Sequence, residues 1–148
     1  MASAAKRKRW DIPEISTNIQ KATKKKLETF KSIRGKGINI PFWDIIVLTA
    51  ADEEQQRAYE TQLQSKLARK ELPVDGLKYH VFHDPVGPKI GNGGSTLVSL
   101  DKLVEIYGED QLSKSKILMI HAGGFSQRLP SASVLGKIFT ALPLGTMN

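Results

Sequence analysis

A chain of 148 residues, 40% apolar and 25% charged, has the size and composition of one globular domain. It contains no cysteine, which excludes a disulfide framework and a Cys-ligated zinc site; its longest apolar runs, Ile45 to Ala51 and Ile117 to Ile120, fall far short of the roughly 20 residues that cross a bilayer. The net charge of +7 is uneven: residues 1–40 hold eleven Lys and Arg against three acids, +8, leaving −1 for the rest, so the body of the chain lacks a broad surface for tracking a nucleic-acid backbone.

Residues 1–15 mix small, basic and acidic types without period, and Pro13 would interrupt a helix there, so this stretch reads as a mobile basic tail. Its KRKR run, Lys6 to Arg9, is either a solvated terminus or a nuclear-import element. The N-terminus has charge but no apolar segment behind it, unlike a secretory signal, which leaves cytosol or nucleus as the expected compartment. Ser16 or Thr17 caps a predicted helix running to about Arg34, with Ile19, Leu27, Phe30 and Ile33 on one stripe, lysines opposite, and Gly35 and Gly37 ending it.

From Phe42 to Ala51 a near-continuous apolar run predicts a strand covered on both faces. Asp52 and Glu53 open a helix with Tyr59, Leu63 and Leu67 at four-residue spacing, stopped at Leu72-Pro73. Tyr79 to Phe82 is the second strand; a helix from about Ser95 places Leu97, Leu100, Val104 and Tyr107 on one side before Gly108; Lys116 to His121 is the third strand. Alternating strands and helices with short connections predict an α/β fold, a partial Rossmann-like parallel sheet preceded by a basic helix. Ligands then sit beyond the carboxyl ends of the strands, where two glycine-rich segments follow Phe82 and His121.

In KIGNGGST, Lys89 to Thr96, the glycines Gly91, Gly93 and Gly94 permit positive φ and close backbone approach, and Ser95 or Thr96 begins a helix whose free amides favour an anion. It is neither a Walker A loop, since no lysine precedes Ser95, nor GxGxxG, since Thr96 stands at the third glycine's place; a plain structural turn explains it as well as a binding loop does. After the third strand, Gly123 and Gly124 leave room for a triphosphate, Ser126 adds a hydroxyl, and Arg128 and Lys137 supply a planar fork and a point charge, nine residues apart. Nucleotidyl transfer needs that set because charge neutralisation and in-line positioning do most of the work. Taken singly, Arg128 reads as a surface ion pair and Lys137 as a solvated side chain; the double glycine after a buried strand favours function. His80, His83 and His121 are too scattered for a metal cluster.

GGFSQRLP followed by GK is similar to the GGxGxR…K signature of sugar-nucleotide pyrophosphorylases, with Ser126 in place of the third glycine. FWDIIVLTAADE, KYHVFHDP, KIGNGGST and HAGGFSQRLPSASVLGKIFTALPLG, in order from about Thr17 to Gly145, resemble more narrowly the fucose-1-phosphate guanylyltransferases (GDP-L-fucose pyrophosphorylases). The resemblance implies a cytosolic enzyme of fucose salvage that, with Mg²⁺, transfers GMP from GTP to β-L-fucose 1-phosphate and releases pyrophosphate. It implies that Gly123, Gly124 and Ser126 pack on the nucleotide phosphates, that Arg128 holds the departing pyrophosphate, and that Lys137 neutralises the α-phosphate. Gly93, Gly94, Ser95 and Thr96 would line the nucleoside side.

Members of that family run to several hundred residues, so residues 16–148 are expected to form the N-terminal part of a nucleotidyltransferase domain. No residue here can be given the duty of metal or sugar ligand; Asp52 and Asp84 are the nearest candidates. The signature also follows the third strand rather than the first, unlike the wider class. Two other readings compete with the transferase: a nucleotide-binding fragment without turnover, and an interaction or nuclear protein acting through its basic arm.

Overall fold

The computed structural model describes residues 12–123 and Ile138. The order is α1 (Ile12–Ile33), β1 (Ile45–Ala50), α2 (Glu53–Ala68), β2 (Lys78–His83), α3 (Gly91–Tyr107), a short α4 (Glu109–Leu112) and β3 (Ile117–His121). The three strands form one parallel sheet in the order β2-β1-β3. All three predicted strands are present, and the α/β class is that read from the alternation.

β1 is the central strand, and its residues explain its place. Ile45, Val47, Leu48, Thr49 and Ala50 are all buried, and an apolar run without alternation suits a strand covered on both faces. Leu48 and Ala50 pack with Tyr59 and Leu63 of α2 and Val81 of β2 on one face. Ile45 and Val47 pack with Leu103 of α3, alongside Phe82, Tyr107 and Met119, on the other. One helix thus covers each face, as successive βαβ crossovers require. Phe42 to Asp44 precede β1 rather than continuing it; there the Asp44 carboxylate accepts the Lys116 amide at 2.7 Å and joins the start of β1 to that of β3.

Helix α2 begins where the sequence indicates. Asp52 is the N-cap, its side chain accepting the Gln55 amide at 2.8 Å, and Glu53 and Glu54 occupy the first turn, where acids meet the positive end of the helix dipole. The helix ends at Ala68, short of the predicted stop at Leu72-Pro73, and Lys70 just beyond it adopts φ 56°.

Two other expectations need correction. Helix α1 starts at Ile12, not at Ser16, because Pro13 stands in the first turn, where the amide that proline lacks would have no intrahelical partner; the boundary drawn at residue 15 therefore falls inside the helix. The apolar stripe of α1 is packed only at its end: Ile33 is buried and Phe30 half-buried, but Ile19 is 60% and Leu27 41% exposed. Helix α3 starts at Gly91, four residues before Ser95. Gly91 turns the chain into it with φ 65°, a conformation open to glycine at little cost. Gly94 then lies directly over Ile90, whose Cβ would be 2.5 Å from a methyl group there, so Gly93 and Gly94 belong to the first turn rather than to a loop.

Candidate functional site

The order β2-β1-β3 creates a switch point. From β1 the chain crosses to β2 on one side, then returns over the other face to β3 on the opposite side. Loops leaving β1 and β3 diverge there and open a crevice at the carboxyl ends of the strands.

A cleft of about 370 Å³ occupies that position. Thr49, Ala51 and Asp52 line it from the end of β1; Asp84, Pro85, Gly87, Pro88 and Lys89 from the loop after β2; Gly91, Asn92 and Ser95 from the start of α3; and Gly123 from the segment after β3. Its wall therefore combines two carboxylates, an ammonium group, a helix N-terminus and side-chain-free backbone.

The segment after β3 is pinned to the centre of the sheet. The buried Tyr59 hydroxyl donates to the Ala122 carbonyl at 2.9 Å, and Ala122 is 2% exposed. Gly123 then runs so close to β1 that a Cβ would lie 2.8 Å from the Ala50 carbonyl carbon and 2.9 Å from the Ala51 nitrogen. Only glycine fits without moving backbone; the expectation after His121 was room for a triphosphate, and what presses on Gly123 is the backbone of β1. The expected cation pair and its neighbours, Gly124, Ser126, Arg128 and Lys137, lie outside the described residues.

On the other side of the cleft the first turn of α3 is fixed by polar contacts. Ser95 Oγ donates to Asp84 Oδ1 at 2.5 Å and also lies 3.0 Å from the Gly91 carbonyl. The Asp84 amide donates to the Ala50 carbonyl at 3.0 Å, and His83 Nδ1 lies 2.7 Å from the Asp84 carbonyl oxygen. The first intrahelical bond runs from the Gly94 amide to the Ile90 carbonyl, so the amides of Gly91, Asn92 and Gly93 have no helical acceptor and form an anion-favouring end. The free amides of α3 therefore belong to residues before Ser95 and Thr96, at which the sequence placed the helix start. Thr96 is spent within the fold, its hydroxyl donating to the Asn92 carbonyl at 2.8 Å and lying 3.3 Å from His121 Nε2.

Of the nine residues expected at the site, the structure brings Ser95 and Gly123 to the cleft wall, with Gly93, Gly94 and Thr96 behind it in the first turns of α3. Sequence reasoning passed over Thr49, Lys89 and Asn92 and left Asp52 and Asp84 without a role, though all five lie at or just beyond a strand's carboxyl end or within KIGNGGST. Position relative to the strands was the signal that would have found them. Among the described residues no three His, Cys, Asp or Glu side chains gather as a metal site, and no helix is long and apolar enough to cross a membrane.

A parallel sheet sheathed on both faces, with glycine backbone pressed against its switch point, defines the frame: a partial Rossmann-like sheet of the kind on which nucleotidyltransferase domains are built. Residues 109–148 match the fucose pyrophosphorylase domain family. The chain is 58% identical over 136 residues to the fucose-1-phosphate guanylyltransferase of Homo sapiens, covering 91% of this chain and 22% of that protein. It is 56% identical over 129 residues to the enzyme of the same name from Mus musculus, covering 86% and 22%. The bifunctional fucokinase/GDP-fucose pyrophosphorylase of Arabidopsis thaliana is 34% identical over 123 residues, 70% of this chain and 12% of that protein. Similarity to these two guanylyltransferases thus extends across nearly the whole chain, which spans about a fifth of their length. No solved structure matches it.

Proposed function

We propose that this chain supplies the nucleotide-gripping part of a fucose-1-phosphate guanylyltransferase. The reaction is attack by a phosphate oxygen of β-L-fucose 1-phosphate on the α-phosphorus of GTP; the new P–O bond forms as the bond to the β-phosphate oxygen breaks, giving GDP-L-fucose and pyrophosphate. The observation that carries the reading is the coincidence of 58% identity to the human enzyme with a cleft at the switch point whose floor is glycine backbone at Gly123.

In this reading the triphosphate packs on Gly123 and Gly124, which carry no side chain to obstruct it, and on Ser126, which offers a hydroxyl. Arg128 grips the pyrophosphate as it departs and Lys137 neutralises the α-phosphate as charge builds. Lys89 and the amide end of α3 add positive potential from the opposite wall. Gly93, Gly94, Ser95 and Thr96 shape the nucleoside side, with Ser95 the one among them that lines the cleft.

Mg²⁺ fits the donors present. It takes oxygen ligands, commonly one or two carboxylates completed by phosphates and water, and Asp52 stands at the end of β1 beside Gly123, with one carboxylate oxygen committed to the Gln55 amide. Asp52 is the residue that would hold the ion. When bound, Mg²⁺ supplies charge neutralisation on the phosphates. The cytosol is the compartment in which this salvage reaction would run.

The test is calorimetric titration of the chain with GTP and Mg²⁺ beside a pyrophosphate-release assay with β-L-fucose 1-phosphate. Binding with release at enzymatic rates supports the transferase; binding without release supports a nucleotide-holding module; no binding overturns both.

A further inference from the structure

We propose that Asp84 is the residue that selects guanine over adenine. The inference rests on the nucleotide reading of the cleft and adds what that reading leaves open, the basis of base choice.

The cleft has two ends. At the switch point between β1 and β3 lies bare backbone, Gly123 against Ala50 and Ala51, suited to phosphates. At the far end, beyond β2, lie Asp84, Pro85 and Pro88, suited to a flat base: two prolines give apolar surface without backbone amides, and one side chain gives acceptors. A nucleotide laid across the carboxyl ends of the strands with its phosphates at the switch point puts its base at Asp84.

Asp84 is built as a fixed acceptor. Its amide is tied to the Ala50 carbonyl at 3.0 Å, so the residue is registered against the central strand. Ser95, 6% exposed on α3, donates to Oδ1 at 2.5 Å and holds the carboxylate plane. A carboxylate has about four acceptor sites, and the Ser95 hydroxyl occupies one of them. Asp84 itself lines the cleft.

Guanine is the purine that answers this acceptor. Its N1–H and exocyclic N2 amine donate side by side on one edge, whereas adenine presents a bare N1 acceptor there. Facing Asp84, guanine makes two charge-assisted bonds, and adenine leaves a carboxylate opposed to a lone pair. A well-aligned bidentate pair of this kind discriminates by about tenfold to a hundredfold.

The experiment measures GTP, ATP and XTP binding, each with Mg²⁺, to the full chain and to Asp84→Asn by calorimetry. Xanthine keeps N1–H but carries a carbonyl where guanine has the amine. The side-chain amide introduced by Asp84→Asn would accept from N1–H and donate to that carbonyl, so the variant is expected to lose GTP affinity by at least about tenfold and to gain XTP affinity. A purely structural role, or a role as metal ligand, gives no such gain. Equal binding of GTP and ATP by the unaltered chain overturns the proposal while leaving the nucleotide reading intact. So does a GTP preference unchanged in Asp84→Asn, or a loss common to all three nucleotides. Absence of binding by the unaltered chain overturns both readings. Should Asp84→Asn fail to fold by circular dichroism, Ser95→Ala decides: a reduced GTP-to-ATP ratio supports the proposal, and an unchanged ratio refutes it.

Discussion

Gly93 and Gly123 stand in segments that look alike in sequence, each with paired glycines just before or after an apolar element, yet the fold uses them for different purposes. At Gly123 a methyl group would meet the backbone of Ala50 and Ala51 at less than 3 Å. At Gly93 nothing in the described protein lies within 4 Å of where that methyl group would sit. The glycine at 123 is demanded by the sheet, the one at 93 is not. Glycine-rich loops are read as ligand cradles because both reasons produce the same letters; separating them needs the neighbouring backbone.

Substitutions break the comparison in order of expected effect. Gly123→Ala forces the loop away from β1, and overpacking against backbone costs about 3 kcal/mol; urea denaturation should show it, with nucleotide binding lost as the loop shifts. Tyr59→Phe leaves Gly123 in place but frees the buried Ala122 carbonyl that fixes it, an expected loss of about 1.5 kcal/mol in the same measurement. Gly91→Ala sets a side chain at φ 65°, where an L-residue is disfavoured by about 1 kcal/mol. Gly93→Ala should leave stability unchanged or raise it by up to about 1 kcal/mol, since alanine is the better helix former. Its effect should appear instead in weaker GTP binding, and a large loss of stability would show that Gly93 is a packing glycine after all.

A last, smaller effect sharpens the view of how α3 is seated. His80 on β2 lies 2.7 Å, ring nitrogen to hydroxyl, from Tyr107 near the end of α3. Burial first, and then the charge of Lys78, hold its imidazole below the usual histidine value. The unfolded chain takes up that proton at about pH 6.5, before the folded chain does, so stability is full above that pH and declines as pH falls through it toward the folded value. Urea midpoints measured about one pH unit above and one below that value should differ, and His80→Gln should narrow the difference.

Much of the fold was legible because its signals are local. The run Ile45 to Ala50 shows by its lack of alternation that both faces are covered, Asp52 announces α2 by its capping side chain, and the spacing of Tyr59 and Leu63 assigns them to the core. The start of α3 was misplaced because glycine is a poor helix former in isolation, and only the contact of Gly94 with Ile90 reverses that preference. The stripe of α1 was legible, but its cover was not, because periodicity reveals an apolar face without revealing what packs on it.

By itself, then, the sequence determined the strands, the crossovers, the family resemblance and the glycine-rich segment at the switch point, since each is written in neighbouring residues. Tertiary structure alone decided that β1 is central, that Gly123 is sterically obligatory, and that Asp84 and Ser95, eleven residues apart, share one hydrogen bond at the cleft. These are matters of distance between chain segments, and a linear pattern carries no distances.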